Sequence, residues 1–471
     1  FTEEQKQKII SAIANIKILD PACGSGAFPM GILHKLVLAL QKLDSDNKTL
    51  YKIQKEKHRE IDDIKSAQND KEIEEILKDL EETFDEKLNY PDYARKKYLI
   101  ENCIYGVDIQ PIAIQITKLR FFISLILDQK IDRSKENFGI RPLPNLETKF
   151  VSANTLIGLE RPSQLKLRNP EIEKKEEELK KLRHKYFTAK TRTQKQRLQQ
   201  KDKKLRQEIA NLLINDGWGE ETANKIASFD IFDQNASADW FDPEWMFGIV
   251  IEPSRFENTG FDIVIGNPPY IQLQKAINNT QKYADLYKNQ GYMVFDRTGD
   301  IYCLFYEKGL QLLKQGGILA YITSNKWMRA GYGEKLREFF IKYNPLKLVD
   351  LGPGVFENAT VDTSILIIQK ARNQKQLKAV TLQKEDREDI FEGLKQRGVI
   401  LKNLTKNAWF IGSDAEQKLK QKIERIGKPL KEWDVKIYRG VLTGLNEAFI
   451  ITTEKRNEIL ANCKDQDERR R

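Results

Sequence analysis

The chain has little of what builds a disulfide framework. Four cysteines occur in 471 residues, Cys23, Cys103, Cys303 and Cys463, and no two have a Cys-x-x-Cys spacing. That scatter fits a reducing compartment and disfavours both a disulfide scaffold and a cysteine-type zinc site. Long apolar runs are also missing: stretches such as Phe121 to Leu127 fall far short of the roughly 20 residues a membrane helix needs, so no membrane partner is expected. No secretory signal pattern is visible. There is no P-loop, no His-Asn-His pattern and no persuasive Pro-Asp…(Asp/Glu)-x-Lys nuclease; Asp434-Val435-Lys436 alone is weak.

What is present is length, apolar mass and charge. The 471 residues suffice for two or three domains. The 40% hydrophobic fraction permits a core, and 31% charged residues implies long solvated helices. A formal charge of +10 favours an anionic partner without identifying it. Phe1 stands where a methionine is usual, and the chain ends in Asp-Glu-Arg-Arg-Arg just after the start of another unit. A fragment of a longer polypeptide is therefore expected.

The pattern is organised around Gly266-Asn267-Pro268-Pro269-Tyr270, which follows the β-branched run Phe261 to Ile265. That run reads as a buried strand, and the prolines force the chain out of the sheet. An amide, a free carbonyl and an aromatic face then stand at a strand's C-terminal edge, where open α/β sheets bind ligands. The turn suits chemistry on an exocyclic amino group of a flat ring. The Asn267 oxygen and the Pro268 carbonyl can both accept from the NH2, and Tyr270 can stack on the ring. An isolated tetrapeptide of this kind is equally well a stiffened loop after a core strand.

Residues 1–15 read as an amphipathic helix with Ile9, Ile10 and Ile13 on one side. Ile16 to Asp20 reads as a first strand, leading through Pro21-Ala22-Cys23-Gly24-Ser25-Gly26-Ala27-Phe28-Pro29 into a helix over about 29–41. This is a nucleotide-binding βα turn in outline. Gly24 and Gly26 allow close backbone approach, and Pro29 fits a first helical position. Pro29 stands where the dinucleotide fingerprint needs a third glycine, which disfavours NAD. Asp20 suits an amino group better than a pyrophosphate; the bland alternative is a tight turn. Cys103 to Ile109 reads as a second strand ending in Asp108, placed for ribose hydroxyls or as a cap for the helix Pro111 to Leu127. Lys149 to Ser152 reads as a third, with Asn154 just beyond it, suited to an adenine edge or to a simple turn.

Further strands are expected at Ile318 to Thr323, Leu346 to Asp350 and Thr363 to Gln369, with a helix over Asp300 to Leu313 and a mobile loop over 277–299. Phe356, in the turn after Gly352, either sandwiches a ring against Tyr270 or anchors the turn. Two long helical insertions interrupt the pattern, 42–100 and 160–240. Between residues 181 and 210 there are eleven Lys/Arg against two Asp/Glu, a net of +9. Such a face lies along phosphates or is merely solvated.

Taken together these stretches resemble the gamma-class N6-adenine DNA methyltransferases, above all the methylase part of type IIG restriction–modification polypeptides. The resemblance runs from about residue 16 to 453 outside the insertions. Asp20 to Phe28 matches the family's S-adenosylmethionine loop, and Asn267-Pro268-Pro269-Tyr270 its catalytic motif. It implies an α/β fold, a Rossmann-like seven-stranded class I methyltransferase sheet. The implied cofactor site is Asp20, Ala22, Cys23, Gly24, Gly26, Asp108, Ile109 and Asn154, with Asn267, Pro268, Pro269 and Tyr270 catalytic. Tyr270 and Phe356 would stack on a flipped adenine. A Thr-Pro segment that the family places before its first strand is not convincing in 1–15.

The implied organisation is a methyltransferase domain of 1–41, 101–159 and 241–370, helical insertions at 42–100 and 160–240, a linker at 371–430, and the start of a target-recognition domain at 431–471, around Tyr438 to Phe449. The implied partner is double-stranded DNA, with a nuclease domain elsewhere on the parent polypeptide, in a prokaryotic cytoplasm. No metal is called for. The absence of a Pro-Cys dipeptide argues against cytosine C5 methylation. A modification-only phage-defence enzyme, or one acting on RNA or on protein glutamine, is the alternative.

Overall fold

The computed structural model describes residues 1–63, 70–161, 169–251, 259–278, 281–356, 361–433, 435 and 452–462. Contacts divide the chain into two units, Phe1–Ile411 and Gly412–Arg471.

The first unit is built on one mixed sheet. Its strands are β1 (Ile18–Asp20), β2 (Ile104–Asp108), β3 (Phe150–Ser152), β4 (Phe261–Gly266), β5 (Leu313–Ser324), β6 (Asn344–Gly352), β7 (Thr363–Gln369), β8 (Gln376–Thr381) and β9 (Val399–Lys402). They lie in the order β3-β2-β1-β4-β5-β7-β6-β8-β9. All pairings are parallel except those of β7 with β5 and β6 and of β9 with β8. The first seven follow the expected segments, but the sheet has nine strands, not seven. Residues 371–430, expected as a linker, instead supply β8, β9 and a helix between them. The alternation Gln-Leu-Lys-Ala-Val-Thr of β8 buries Leu377 and Ala379 and extends the sheet beyond β6.

The helices are α1 (Glu3–Asn15), α2 (Ala27–Leu43), α3 (Lys48–Asp63), α4 (Asp70–Phe84), α5 (Pro91–Asn102), α6 (Pro111–Ile126), α7 (Pro170–Thr188), α8 (Arg192–Asn215), α9 (Glu220–Ser228), α10 (Pro243–Phe247), α11 (Tyr283–Tyr287), α12 (Ile301–Leu312), α13 (Gly333–Phe340) and α14 (Ile390–Arg397). Strand side chains alternate between the two faces. Ile104 and Phe150 join a cluster with α1, α2, α5 and α6, while Tyr105 and Val151 join another with α7 to α10, α12 and α13. The expected helix over Asp300 to Leu313 ends at Leu312, and β5 starts at once, running through Gly316 and Gly317.

Neither insertion is a free arm. Tyr93, Tyr98 and Leu99 of α5 are buried in the cluster around α2. In the basic insertion, Asp202 is fully buried between Arg183 (2.8 Å) and Arg206 (2.7 Å), and these arginines also reach the carbonyls of Trp245 and Ala227. The tip of the α7–α8 hairpin rests on Asn145, whose amide donates to the carbonyls of Tyr186 (2.7 Å) and Ala189 (2.9 Å). Asn145 precedes β3, so this tip stands at the N-terminal edge of the sheet. There Asp79 of α4 pairs with Lys97 (2.6 Å), Arg141 (2.8 Å) and Lys190 (2.8 Å), joining the two insertions. Burial pushes the Asp79 carboxyl up, but the three cations outweigh it and hold it well below the usual range.

The second unit contributes α15 (Asp414–Ile426), opened by a Ser413–Glu416 capping box, and α16 (Thr453–Asn462). The stretch Tyr438 to Phe449, expected to open a recognition domain, lies outside the described residues.

Candidate functional site

Two turns meet at the C-terminal edge of the sheet. The first follows β1. Asp20 is 1% exposed, and its Oδ1 accepts the Ala22 amide (3.1 Å). Its Oδ2 is buried and finds no partner among the described residues. Burial pushes this carboxyl up to about 8 against the pull of the Ala22 amide, and the Asp108 charge adds to the push. A buried acceptor in this state wants a donor, ideally a cation.

The rest of the loop is fixed from β2 and α6. The Cys23 amide donates to the Val107 carbonyl (2.8 Å), the Gly24 amide to Asp108 Oδ2 (2.9 Å), and the Thr117 hydroxyl to the Gly24 carbonyl (3.0 Å). Gly26 has φ +83°, and a Cβ there would sit 2.8 Å from the Thr117 side chain. Only glycine fits both demands. Gly26 is the N-cap of α2, so Pro29 is third in the helix rather than first, still within the turn whose amides lack helical acceptors. Burial pushes the Cys23 thiol far up, so it is no nucleophile. At the tip of β2, Asp108 Oδ1 accepts the Gln110 amide (2.9 Å). The next residue, Ile109, is 56% exposed, its carbonyl held by the hydroxyls of Ser152 and Ser237.

The second turn follows β4. An ideal Cβ on Gly266 would lie 2.6 Å from Asp20 Oδ1, so the two turns touch at that point. One residue on, Asn267 Oδ1 accepts the Tyr270 hydroxyl at 2.6 Å; that hydroxyl also reaches the Ile322 carbonyl (3.3 Å). Burial pushes the Tyr270 hydroxyl up, with a further push from the Asp300 charge, so it stays a donor. The Tyr302 ring stands edge-on to Tyr270, centroids 6.1 Å apart.

A scan of this sequence against family models matches the Eco57I restriction-modification methylase over residues 102–356. The chain belongs to that family. It is 36% identical over 125 residues to the type II restriction enzyme and methyltransferase RM.Eco57I of Escherichia coli, covering 26% of this chain and 12% of that protein. It is 27% identical over 243 residues to the type II methyltransferase M.BstVI of Geobacillus stearothermophilus, covering 46% and 42%. Over 415 residues it is 26% identical to the putative type II restriction enzyme and methyltransferase RM.MjaORFECS2P of Methanocaldococcus jannaschii, covering 77% and 30%. The chain thus spans less than half the length of these relatives. Among solved structures, a DrdV–DNA complex aligns with 88% of this chain and 30% of its own, at 12% identity and a TM-score of 0.41.

In this Eco57I-type chain the structure brings Asp20, Ala22, Cys23, Gly24, Gly26, Asp108 and Asn267 to Tyr270 to one sheet edge. Asn154 is there too, but its amide is engaged: Oδ1 accepts the Leu156 amide (3.2 Å) and Nδ2 donates to the Tyr287 hydroxyl (3.3 Å). Phe356 lies in the β6–β7 turn, half-buried. Strand β6 is separated from β4 by β5 and β7, about 14 Å at ordinary strand spacing. Among the described residues the ring against Tyr270 is Tyr302, not Phe356. The loop over 277–299, expected to be mobile, carries α11 and packs on the β3 end through Tyr287 and through the Tyr292 hydroxyl on the Leu156 carbonyl (2.7 Å). Sequence reasoning missed Thr117, Tyr287, Tyr302 and Asp300. Of these only Asp300 carried a signal, a carboxylate just before a helix, which reads as an ordinary cap.

Proposed function

We propose that this chain is the catalytic part of a site-specific DNA adenine-N6 methyltransferase using S-adenosylmethionine, from a type IIG-like restriction–modification polypeptide. The observation that carries this reading is the contact at Gly266. It sets a buried carboxyl with a bare oxygen directly against the strand end that bears the Asn-Pro-Pro-Tyr turn. The order of the first seven strands, with β7 alone antiparallel among them, supports a Rossmann-like class I methyltransferase sheet, here extended by β8 and β9.

The donor set fits the cofactor. Asp20 Oδ2 has the acceptor an α-amino cation needs, Asp108 faces the same loop with lone pairs for ribose hydroxyls, and Gly24 leaves open space beside the backbone. Exposed Ile109 offers an apolar surface to an adenine ring. The committed amide of Asn154 leaves the backbone of its turn for that ring's edge. When bound, the cofactor supplies an electrophilic sulfonium methyl. Asn267 Oδ1 keeps one lone pair beyond that taken by Tyr270, and together with the Pro268 carbonyl it can hold both hydrogens of an amino group. That orients the nitrogen lone pair and restrains its delocalisation into the ring. The base must leave the duplex first, a cost of a few kcal/mol. Stacking on Tyr270 offsets part of it, on the order of 1–3 kcal/mol.

DNA as substrate rests on the family and on the names of the relatives; two of those also name a restriction enzyme, which supports a nuclease on the same parent polypeptide. A prokaryotic cytoplasm is the setting such a system requires. The test is incubation of the chain, and of its full-length parent, with methyl-labelled cofactor and duplex DNA, RNA or a glutamine-bearing release factor. Label on N6 of adenine in duplex DNA is expected. Label only on RNA or protein would overturn the substrate, and none from the parent on any of them would overturn the reaction.

A further inference from the structure

Helix α6 is apolar on two sides. Its inner side puts Ile114, Phe121 and Leu125 into the core with Ile104 of β2 and Phe150 of β3. Its outer side carries Ile112, Ile116, Leu119, Ile123 and Ile126, spaced 4-3-4-3, and Leu127 and Ile131 lie just past the helix end. All seven are between 38% and 71% exposed. A helix at a protein surface ordinarily turns polar residues outward, and one that is apolar all round is buried. The 4-3 spacing is that of a seam between two packed helices. The row begins at Ile112, one helical turn beyond Ile109, so it is separate from the surface offered to the adenine ring.

We propose that the outer row of α6 is a self-association surface, through which two copies of this chain pair about a two-fold axis. The area suits a second copy. At about 1.45 Å² per dalton of extended chain, an isoleucine or leucine offers about 160 Å², so the exposed fractions of the seven leave roughly 600 Å² on each copy. A stable interface takes about 800 Å² per partner, polar rim included, so the row supplies most of its apolar centre. Charge points the same way. Arg120 is the single exposed charged residue of α6, since Lys118 is buried, so a charged partner finds little to recognise. The same row on another copy matches it aliphatic to aliphatic, as an isologous contact requires. A second exposed row, Leu419, Ile423 and Ile426 on α15, is bordered by Lys418, Lys420, Lys422 and Arg425. A self-match there would set like charges against each other. The inference goes beyond the methyltransferase reading and does not depend on it.

The experiment is sedimentation velocity of the 471-residue chain. Wild type should pass from the mass of one chain to that of two between about 1 and 100 µM. Because the contact is apolar, raising sodium chloride should not weaken it. Leu119→Glu puts an unpaired charge into the seam and should weaken pairing by at least about a hundred-fold. Ile123→Gln carries no charge and should weaken it by about ten-fold. Both positions are half exposed in a single chain, so the variants should fold, and calorimetric melting of dilute protein checks that. Ile423→Glu on α15 should leave pairing unchanged. A chain that stays monomeric to about 100 µM overturns the inference and leaves the row to another occupant, such as a helix of a longer parent. Pairing that survives Leu119→Glu, that is lost in Ile423→Glu, or that salt dissolves places the contact elsewhere and overturns it too.

Discussion

The turns after β1 and β4 touch at Gly266 but are finished to different degrees. After β1, Asp20 Oδ2 is bare, and the cost of leaving it so is visible in a carboxyl that holds its proton up to about pH 8. After β4, Asn267 Oδ1 is already covered by the protein's own Tyr270 hydroxyl. One turn is an open demand for a donor; the other is satisfied and must share its acceptor. On the proposed reading a cation enters the first without displacing any protein group, whereas a base entering the second competes with a tyrosine.

Substitutions can break this comparison on either side. The largest effect is expected from Asn267→Ala, which removes the shared acceptor: methyl transfer should fall by on the order of 10^3-fold with cofactor affinity intact. Transfer assays beside calorimetric titration read both, and near-normal turnover would remove Asn267 from the chemistry. Gly266→Ala should damage both turns at once, since its Cβ would collide with Asp20 Oδ1. Stability should drop by roughly 1–3 kcal/mol and cofactor binding should weaken with it. Denaturant unfolding at unchanged midpoint would show that the contact is looser than drawn.

The pH dependence of stability sharpens the open side. The folded Asp20 carboxyl, at about 8, holds its proton above the ordinary 3.8, so the folded state carries more protons between about pH 4 and pH 8. Its contribution is stabilising below that window and is lost as pH rises through it. In the ligand-free protein Asp20→Asn should flatten that part of the decline in melting temperature between about pH 5 and pH 8. A decline identical to wild type would mean that Asp20 is solvated. The smallest effect is expected from Tyr270→Phe, which uncovers the amide oxygen but keeps the ring. One neutral hydrogen bond of about 0.5–1.5 kcal/mol is lost, so transfer should change by less than about ten-fold. A far larger loss would mean that the hydroxyl itself is needed to hold Asn267.

Much of the edge was legible in the sequence because strand ends there are marked by residues that stop strands. Asp20-Pro21, Gly266-Asn267-Pro268 and Gly352-Pro353 each punctuate an apolar run, and the structure ends β1, β4 and β6 at or within a residue of them. Strand β8 was not legible: its few apolar residues are interspersed with Gln, Lys and Thr, and it is pairing with β6 and β9 that makes them a strand. The net charge of +9 over 181–210 was legible, but not its use. Arg183 and Arg206 are buried on Asp202, whose partnership spans nineteen residues for one of them, and periodicity carries no sign of that. Asp300 was hidden by plausibility: before a helix an aspartate looks like a cap, yet its side chain makes no capping bond.

The junction at Asp79 bears on any attempt to pare the protein down. Its cations come from three separate stretches, Lys97 and Arg141 flanking β2 and Lys190 at the hairpin tip. Deleting residues 42–84 would remove Asp79 and strand the positive charges of all three stretches beside one another, while deleting the hairpin would remove only Lys190 and leave Asp79 with its other two cations. A minimal methylase engineered from this chain should therefore be cut first at the second arm. The first should be removed only together with Lys97, Arg141 and Lys190 recoded as neutral residues.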